Sequence, residues 1–184
     1  MTPHVLRLWW LGSGEVDAGA LQAIAASLED TFAMTARVEI QAARPDAYDA
    51  RRGQHSSTRL LAWIGERLPA DASKALGLTD VDLFIPVLTF VFGEAQLGGR
   101  AAVASCARLG GTPGKNGAAL LRLAKEAAHE LGHTLGLLHC DQPRCVMSRS
   151  ASLADVDRKG GALCRDCRLR LQDLHREGDA HERR

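Results

Sequence analysis

The sequence lacks an excess of charge of either sign. Its 23 basic and 22 acidic side chains leave a formal +1 over 184 residues, so no global field draws the chain to nucleic acid or to an anionic membrane. A long apolar run is missing too. A membrane-spanning helix takes ~20 apolar residues, and the most apolar stretch, Val81 to Phe92, is interrupted by Asp82 and Pro86. The opening residues, MTPHVLRLWWLG, contain no basic leader, no extended apolar segment and no small-residue cleavage site, which argues against a secretory signal. Internal repeats and low-complexity linkers are absent. The expectation is a soluble, cytoplasmic, monomeric protein of one domain spanning 1–184, because 46% apolar residues suffice for a core of its own.

Cysteine is present, as five residues: Cys106, Cys140, Cys145, Cys164 and Cys167. In an unexported protein thiols stay reduced, and metal binding becomes the better reading than disulfides. Cys106 stands alone in an apolar strand pattern and reads as a small buried hydrophobe. His4, His55, His175 and His181 lack companion spacing and read as ordinary histidines.

Periodicity places the elements. Val5 to Leu11 and Thr35 to Ile40 read as strands, and Leu21, Ile24, Ala25 and Leu28 recur at helical spacing between them, so the chain opens strand, helix, strand. A parallel pair joined by a crossover follows. Ser56 or Ser57 can cap a helix carrying Leu60, Leu61, Ile64 and Leu68, closed by Pro69. Val81 to Pro86, Thr89 to Phe92 and Ala101 to Cys106 read as three further strands, giving a mixed, mostly parallel five-stranded sheet with backing helices. A long helix runs from Ala118 to about Leu135 with Asn116 as its cap. Beyond Gly136 clean periodicity ends, and a small irregular lobe held by something other than a core is expected. Its last part, Arg168 to Arg184, reads as a short helix and a frayed tail.

The chemistry lies in the long helix. His129-Glu130-Leu131-Gly132-His133 spells HExxH, and residues four apart share a helix face, so two imidazoles can reach one metal. Glu130 lies about 100° further round. Bare HExxH is weak, but Gly136 follows His133 by three residues and His139 by six. Glycine can adopt the left-handed conformation that ends a helix and turns the chain, which brings His139 back to the pair. Three nitrogens leave one position of a tetrahedral zinc open, as in catalytic sites. Glu130 is the residue of the motif able to act as general base.

Cys140, Cys145 and the CxxC of Cys164 and Cys167 would fill a second, closed zinc site with four thiolates. Neighbours in an extended chain project to opposite sides, so His139 and Cys140 should serve different ions. Two zinc ions per chain are expected, one catalytic and one structural, with the structural one fixing the lobe that presents His139.

The pattern HExxHxxGxxH followed by Met147 resembles the metzincin metallopeptidases. The run HELGHTLGLLHCDQPRCVM with CRDC after it, together with upstream DLFIPVLTFVFGEAQLGGRAAVAS, is similar to their archaemetzincin branch over roughly Asp82 to Cys167. The resemblance implies a zincin-like α+β fold, with an upper subdomain (1–136) carrying the HExxH helix and a lower subdomain (137–184) carrying the four-cysteine site. It implies hydrolysis of peptide bonds, Met147 as a packing floor beneath the imidazoles, and a substrate strand at Thr89, Phe90, Val91 and Phe92. A peptide or unfolded polypeptide is then the expected substrate. A non-proteolytic zinc protein of the same fold, either a small-molecule amidase or a peptide-binding module, is the alternative, against which an intact Glu130 argues. A nucleic-acid-binding zinc ribbon would have to use Arg144, Arg149, Arg165, Arg168 and Arg170 on phosphates, but the lobe has no aromatic residue for stacking bases. The seven basic residues between Arg144 and Arg170 against three acidic ones fit equally a solvated face or a counterweight to a zinc tetrathiolate.

Overall fold

The structure, a computed structural model, describes residues 5–41, 44–114 and 116–182, with side chains through 177. His4, the His181 side chain and the last two residues of the expected tail lie outside the described set. Strand β1 (Val5–Trp10), helix α1 (Ala18–Phe32) and strand β2 (Thr35–Ile40) form the expected opening unit, with β1 and β2 parallel and Val5 opposite Thr35. Asp17 caps α1 by accepting the Gly19 N–H at 2.7 Å, and Leu21, Ile24, Ala25 and Leu28 are its buried stripe. The chain continues through β3 (Tyr48–Asp49), β4 (Gln54–Ser56), α2 (Ser57–Arg67), β5 (Lys74–Thr79), β6 (Leu83–Phe84), β7 (Gly93–Ala95) and β8 (Ala101–Ser105). Helices α3 (Gly117–Thr134), α4 (Leu153–Arg158) and α5 (Arg165–Glu182) complete it.

The main sheet has five strands in the order β2-β1-β5-β8-β7. Four are parallel, and β7 runs antiparallel along the edge. The number and mixed character match the sequence expectation, but the membership does not. Lys74–Thr79 is a central strand that the patterning does not reveal, because it pairs on both sides and buries Ala75 to Thr79 on both faces, leaving no polar alternation to read. Val81 to Pro86 is not a strand of this sheet. Only Leu83–Phe84 pairs, with β4, in a small second sheet ordered β3-β4-β6.

Thr89 to Phe92 is not a strand either. It is irregular, with bends at Thr89 and Phe92 and Val91 making a lone antiparallel bridge to Leu83, and the edge strand begins at Gly93. Pro86 has no N–H to donate to a ladder, and the neighbouring carbonyls are claimed by a side chain: the Arg52 guanidinium donates to Leu88 O at 3.0 Å and Pro86 O at 3.2 Å. Arg108 lies over the Phe90 ring at 4.3 Å while gripping both oxygens of Asp82 at 2.6 and 2.7 Å.

One hydrophobic cluster joins the sheet to α1 and α3, and a second joins its other face to α2. The first runs on past Gly136 to take in Leu137, Val146, Met147, Val156, Leu163 and Leu171. The segment after Gly136 is therefore packed onto the same hydrophobic core as the sheet, contrary to the expectation drawn from its lack of periodicity. Its apolar residues are spaced along loops and single turns, so no helical or strand period displays them. Helix α4 is too short to show a period in the sequence. Ser152 caps it, accepting from the Asp155 N–H at 3.3 Å, and Arg122 and Lys125 of α3 tie it down through Asp157 at 2.7 and 2.8 Å and the Val156 carbonyl at 2.9 Å. Helix α5 starts inside the CxxC and is longer than expected. Among the described residues no helix is long and apolar enough to cross a membrane.

Candidate metal centres and the cleft

Asn116 caps α3, its side chain accepting from the Ala118 N–H at 2.9 Å. The helix delivers His129 and His133 one turn apart. It ends at Gly136, which takes φ +90, with Leu137 N–H donating to Gly132 O and Gly136 N–H to His133 O, both at 3.0 Å. These two bonds make a Schellman motif, which reverses the chain so that His139 returns. Its ring centroid lies 5.3 Å from that of His129 and 4.8 Å from that of His133.

The imidazoles are oriented by backbone carbonyls. His129 Nδ1 lies 2.9 Å from Val146 O, and His133 Nδ1 lies 2.7 Å from Leu137 O. A carbonyl can only accept, so both Nδ1 atoms carry the proton and both Nε2 atoms present lone pairs. Those Nε2 atoms are 3.1 Å apart. Two acceptors at that separation need a shared cation, and zinc–nitrogen bonds of about 2.0–2.1 Å at a tetrahedral angle place nitrogens about 3.4 Å apart. Burial favours the neutral ring, which is the form that binds metal: it lowers His129 to about 2, His139 to about 4, and His133 below its ordinary value. His129, His133 and His139 offer ligand atoms all within 4.8 Å of one another.

Met147 is fully buried in the first hydrophobic cluster. Its Sδ lies 2.5 Å from where a Cβ on Gly132 would stand, so the helix glycine within HExxH makes room for it. The Met147 segment is stitched to both neighbours, since Val146 O orients His129 and Met147 O accepts the Cys140 N–H at 3.0 Å.

Glu130 is buried against the edge of the sheet. A Cβ on Gly93 would fall 2.6 Å from Glu130 Cγ, 2.7 Å from Glu130 Oε1 and 2.5 Å from Val103 O. β7 passes the carboxylate so closely that only a residue without a side chain fits. Burial, and then the nearby Glu126, push Glu130 well above the ordinary carboxylate range, with Lys159 opposing them.

Glu126 itself pairs with Lys159 at 2.8 Å, both side chains almost wholly out of solvent. Ser150 Oγ donates to the same Glu126 oxygen at 3.2 Å. This ion pair joins α3 to the end of α4 beside the cleft. Sequence reasoning misses it, because Lys159 stands in a basic stretch that reads as a solvated face. Gly93 is missed too, since nothing local to it signals the distant carboxylate.

A cleft of about 400 Å³ is lined by His129 and His139, with His133 set back from it. Thr89, Phe90, Val91 and Phe92 line its upper wall, and Glu126, Glu130 and Arg149 are among its other lining residues. The upper wall is thus built by an irregular segment that passes into the β7 edge. Phe90 and Phe92 pack edge to face with centroids 5.3 Å apart. Tyr48 is half exposed, its ring tilted against that of His55 with centroids 5.2 Å apart, and is not among the residues lining the cleft.

Cys140, Cys145, Cys164 and Cys167 bring their sulfurs within 4.8 Å of one another, and none is in a disulfide. Cys140 Sγ and Cys164 Sγ are 3.8 Å apart, the separation expected for zinc–sulfur bonds of about 2.3 Å at a tetrahedral angle. Backbone N–H groups of Gln142, Cys164 and Cys167 point at Sγ of Cys140, Cys145 and Cys164 at 3.4–3.5 Å, an arrangement that favours thiolate. The fifth thiol, Cys106, is buried elsewhere and pushed up to about 12, chiefly by that burial.

Comparison with known proteins agrees with this geometry. The model of peptidase family M54 matches residues 67–173. The archaemetzincin of Methanocaldococcus jannaschii is 46% identical over 131 residues, which are 69% of this chain and 71% of that protein. The crystal structure of archaemetzincin from Methanopyrus kandleri superposes with a TM-score of 0.84 at 36% identity, over 95% of this chain and 97% of that one. A zinc-dependent peptidase from Methanocorpusculum labreanum superposes at 0.79 with 29% identity, over 90% and 99%. The α+β zincin-like fold is common to them, and the chain belongs to peptidase family M54 and is a zinc metallopeptidase.

Proposed function

We propose that His129, His133 and His139 hold the catalytic zinc, that Glu130 is the general base, and that Cys140, Cys145, Cys164 and Cys167 hold a second, structural zinc. The reading is of one domain with two subdomains, 1–136 above the cleft and 137–184 below it, acting on peptides or unfolded polypeptide. Zinc in a three-imidazole site supplies a Lewis acid that polarises the scissile carbonyl and makes water acidic enough to attack near neutral pH. Glu130 accepts the proton of the attacking water and returns it to the leaving amine nitrogen. Its burial supports this role, because a carboxyl group taken from water holds a proton more readily between the two transfers. The edge of β7, with the Thr89 to Phe92 wall before it, is the natural partner for an extended substrate backbone. Met147 supports the rings from beneath without binding the metal.

The observation that carries this reading is the pair of facing Nε2 lone pairs 3.1 Å apart, with both Nδ1 protons committed to carbonyls. Elemental analysis is the test. Wild-type protein purified without chelator should hold two zinc ions per chain, and His129→Ala/His133→Ala should hold one. Glu130→Ala should keep both and lose hydrolysis. One zinc in both wild type and the double variant, unchanged by added zinc, would remove the catalytic assignment.

A further inference from the structure

Of the charged residues that line the cleft, Glu126 is paired with Lys159 at 2.8 Å and Glu130 is buried against the edge of β7. Among the described residues, Arg149 is neither paired nor buried. It is exposed, lines the cleft together with Phe90, Glu130 and His139, and lies close enough to His139 for its charge to act on that ring.

The other arginines that bear on this region are all engaged. Arg52 bonds the Pro86 and Leu88 carbonyls, Arg108 grips Asp82, and Arg122 grips Asp157. Among the described residues Arg149 has no hydrogen bond, ion pair or ring contact of its side chain. Its backbone, by contrast, is held firmly, because Met147 and Ser148 before it are buried and Ser150 after it is bonded to Glu126. A free guanidinium fork on a fixed backbone beside a dicationic metal site is arranged to receive a planar anion in two parallel hydrogen bonds.

We propose that Arg149 is a substrate-binding residue that takes a carboxylate of the peptide close to the scissile bond, supplied either by an Asp or Glu side chain or by the peptide's own C terminus. The substrates favoured are then acidic or short peptides rather than basic ones. Charged hydrogen bonds of this type contribute enough for a preference of about tenfold.

The proposal rests on the peptidase reading, and binding and cleavage separate the two. Labelled hexapeptides, identical except for Glu or Gln at one scanned position, or for a free acid or an amide at the C terminus, are titrated by fluorescence anisotropy into zinc-loaded Glu130→Gln protein. The same set is then followed by cleavage with Glu130 intact. Carboxylate peptides should bind about tenfold tighter, the preference should vanish in an added Arg149→Gln change, and Arg149→Glu should turn it toward Lys peptides. Zinc content and melting temperature should not move in either Arg149 variant. A preference that tracks the internal Glu identifies the side chain as the source, and one that tracks the free acid identifies the C terminus. An equal preference with and without Arg149 would place the carboxylate elsewhere and overturn the proposal, as would cleavage indifferent to charge. Arg149-dependent binding with no cleavage of any peptide would instead overturn the peptidase reading and leave the Arg149 site standing.

Discussion

Replacing Lys159 by Met tests whether the buried pair beside the cleft holds α3 and α4 together. At 2.8 Å and an effective dielectric constant of ~20, the attraction between Lys159 and Glu126 is about 6 kcal/mol. Much of it offsets the desolvation of two buried ions, so the pair as a whole contributes little net stability. Removing one partner is a different matter: it strands the other, and the usual cost is about 3–5 kcal/mol. Lys159→Met should therefore lower the stability of the zinc-saturated protein by about that amount, with a fall in melting temperature of about 10 °C for a chain of this size. The assay is urea unfolding followed by far-ultraviolet circular dichroism, with zinc in excess throughout. Glu126→Leu alone should cost a similar amount, and Lys159→Met/Glu126→Leu should recover most of the loss, to within about 2 kcal/mol of wild type. A single variant costing less than about 1 kcal/mol, or a double variant whose cost is the sum of the two, would refute the reasoning, because either result means that the ions were never dependent on one another.

Three further outcomes are expected. Gly93→Ala puts a Cβ where Glu130 Cγ and Oε1 stand, so hydrolysis should fall by about a hundredfold or more through kcat while both zinc ions are retained; retained activity would mean that β7 moves aside freely. Cys164→Ser should release the thiolate zinc and, because Cys140 adjoins His139, weaken zinc binding at the histidines as well, whereas unchanged occupancy and activity would show the two sites to be independent. Lys74 is lowered to about 8 by burial, with its Nζ donating to Gly99 O at 2.6 Å and Thr134 O at 2.7 Å. Between pH 8 and its ordinary value of 10.5 the unfolded chain holds more of this proton than the native one, so stability should rise with pH across that window relative to Lys74→Met. A parallel pH dependence in the two proteins would show that Lys74 does not titrate there.

The metal-binding pattern is legible because its geometry is local. Helical spacing sets His129 and His133 on one face, and Gly136 with its positive φ turns the chain within three residues, so the approach of His139 follows from the backbone alone. The sheet is less legible. β1, α1 and β2 announce themselves by alternating or periodic apolar residues, but β5 is covered on both faces and shows no period. The Thr89 to Phe92 segment has the composition of a strand, yet Arg52, distant in sequence, bonds the Pro86 and Leu88 carbonyls before it, and Arg108 lies over its Phe90 ring.

By itself, then, the sequence determined the two groups of candidate ligands that come together, His129, His133 and His139 in one and Cys140, Cys145, Cys164 and Cys167 in the other, together with the reversal at Gly136 that divides them. Only the tertiary structure decided what surrounds them: Lys159 reaching inward to Glu126, Gly93 yielding space to Glu130, Gly132 yielding space to Met147, and Arg149 left without a partner among the described residues at the cleft. The physical reason is one of range. Ligand spacing is a property of a few consecutive backbone torsions, which local residue type controls. Burial, charge pairing and close approach are properties of segments far apart in the chain, and a lysine or a glycine carries no local mark of what will be packed against it.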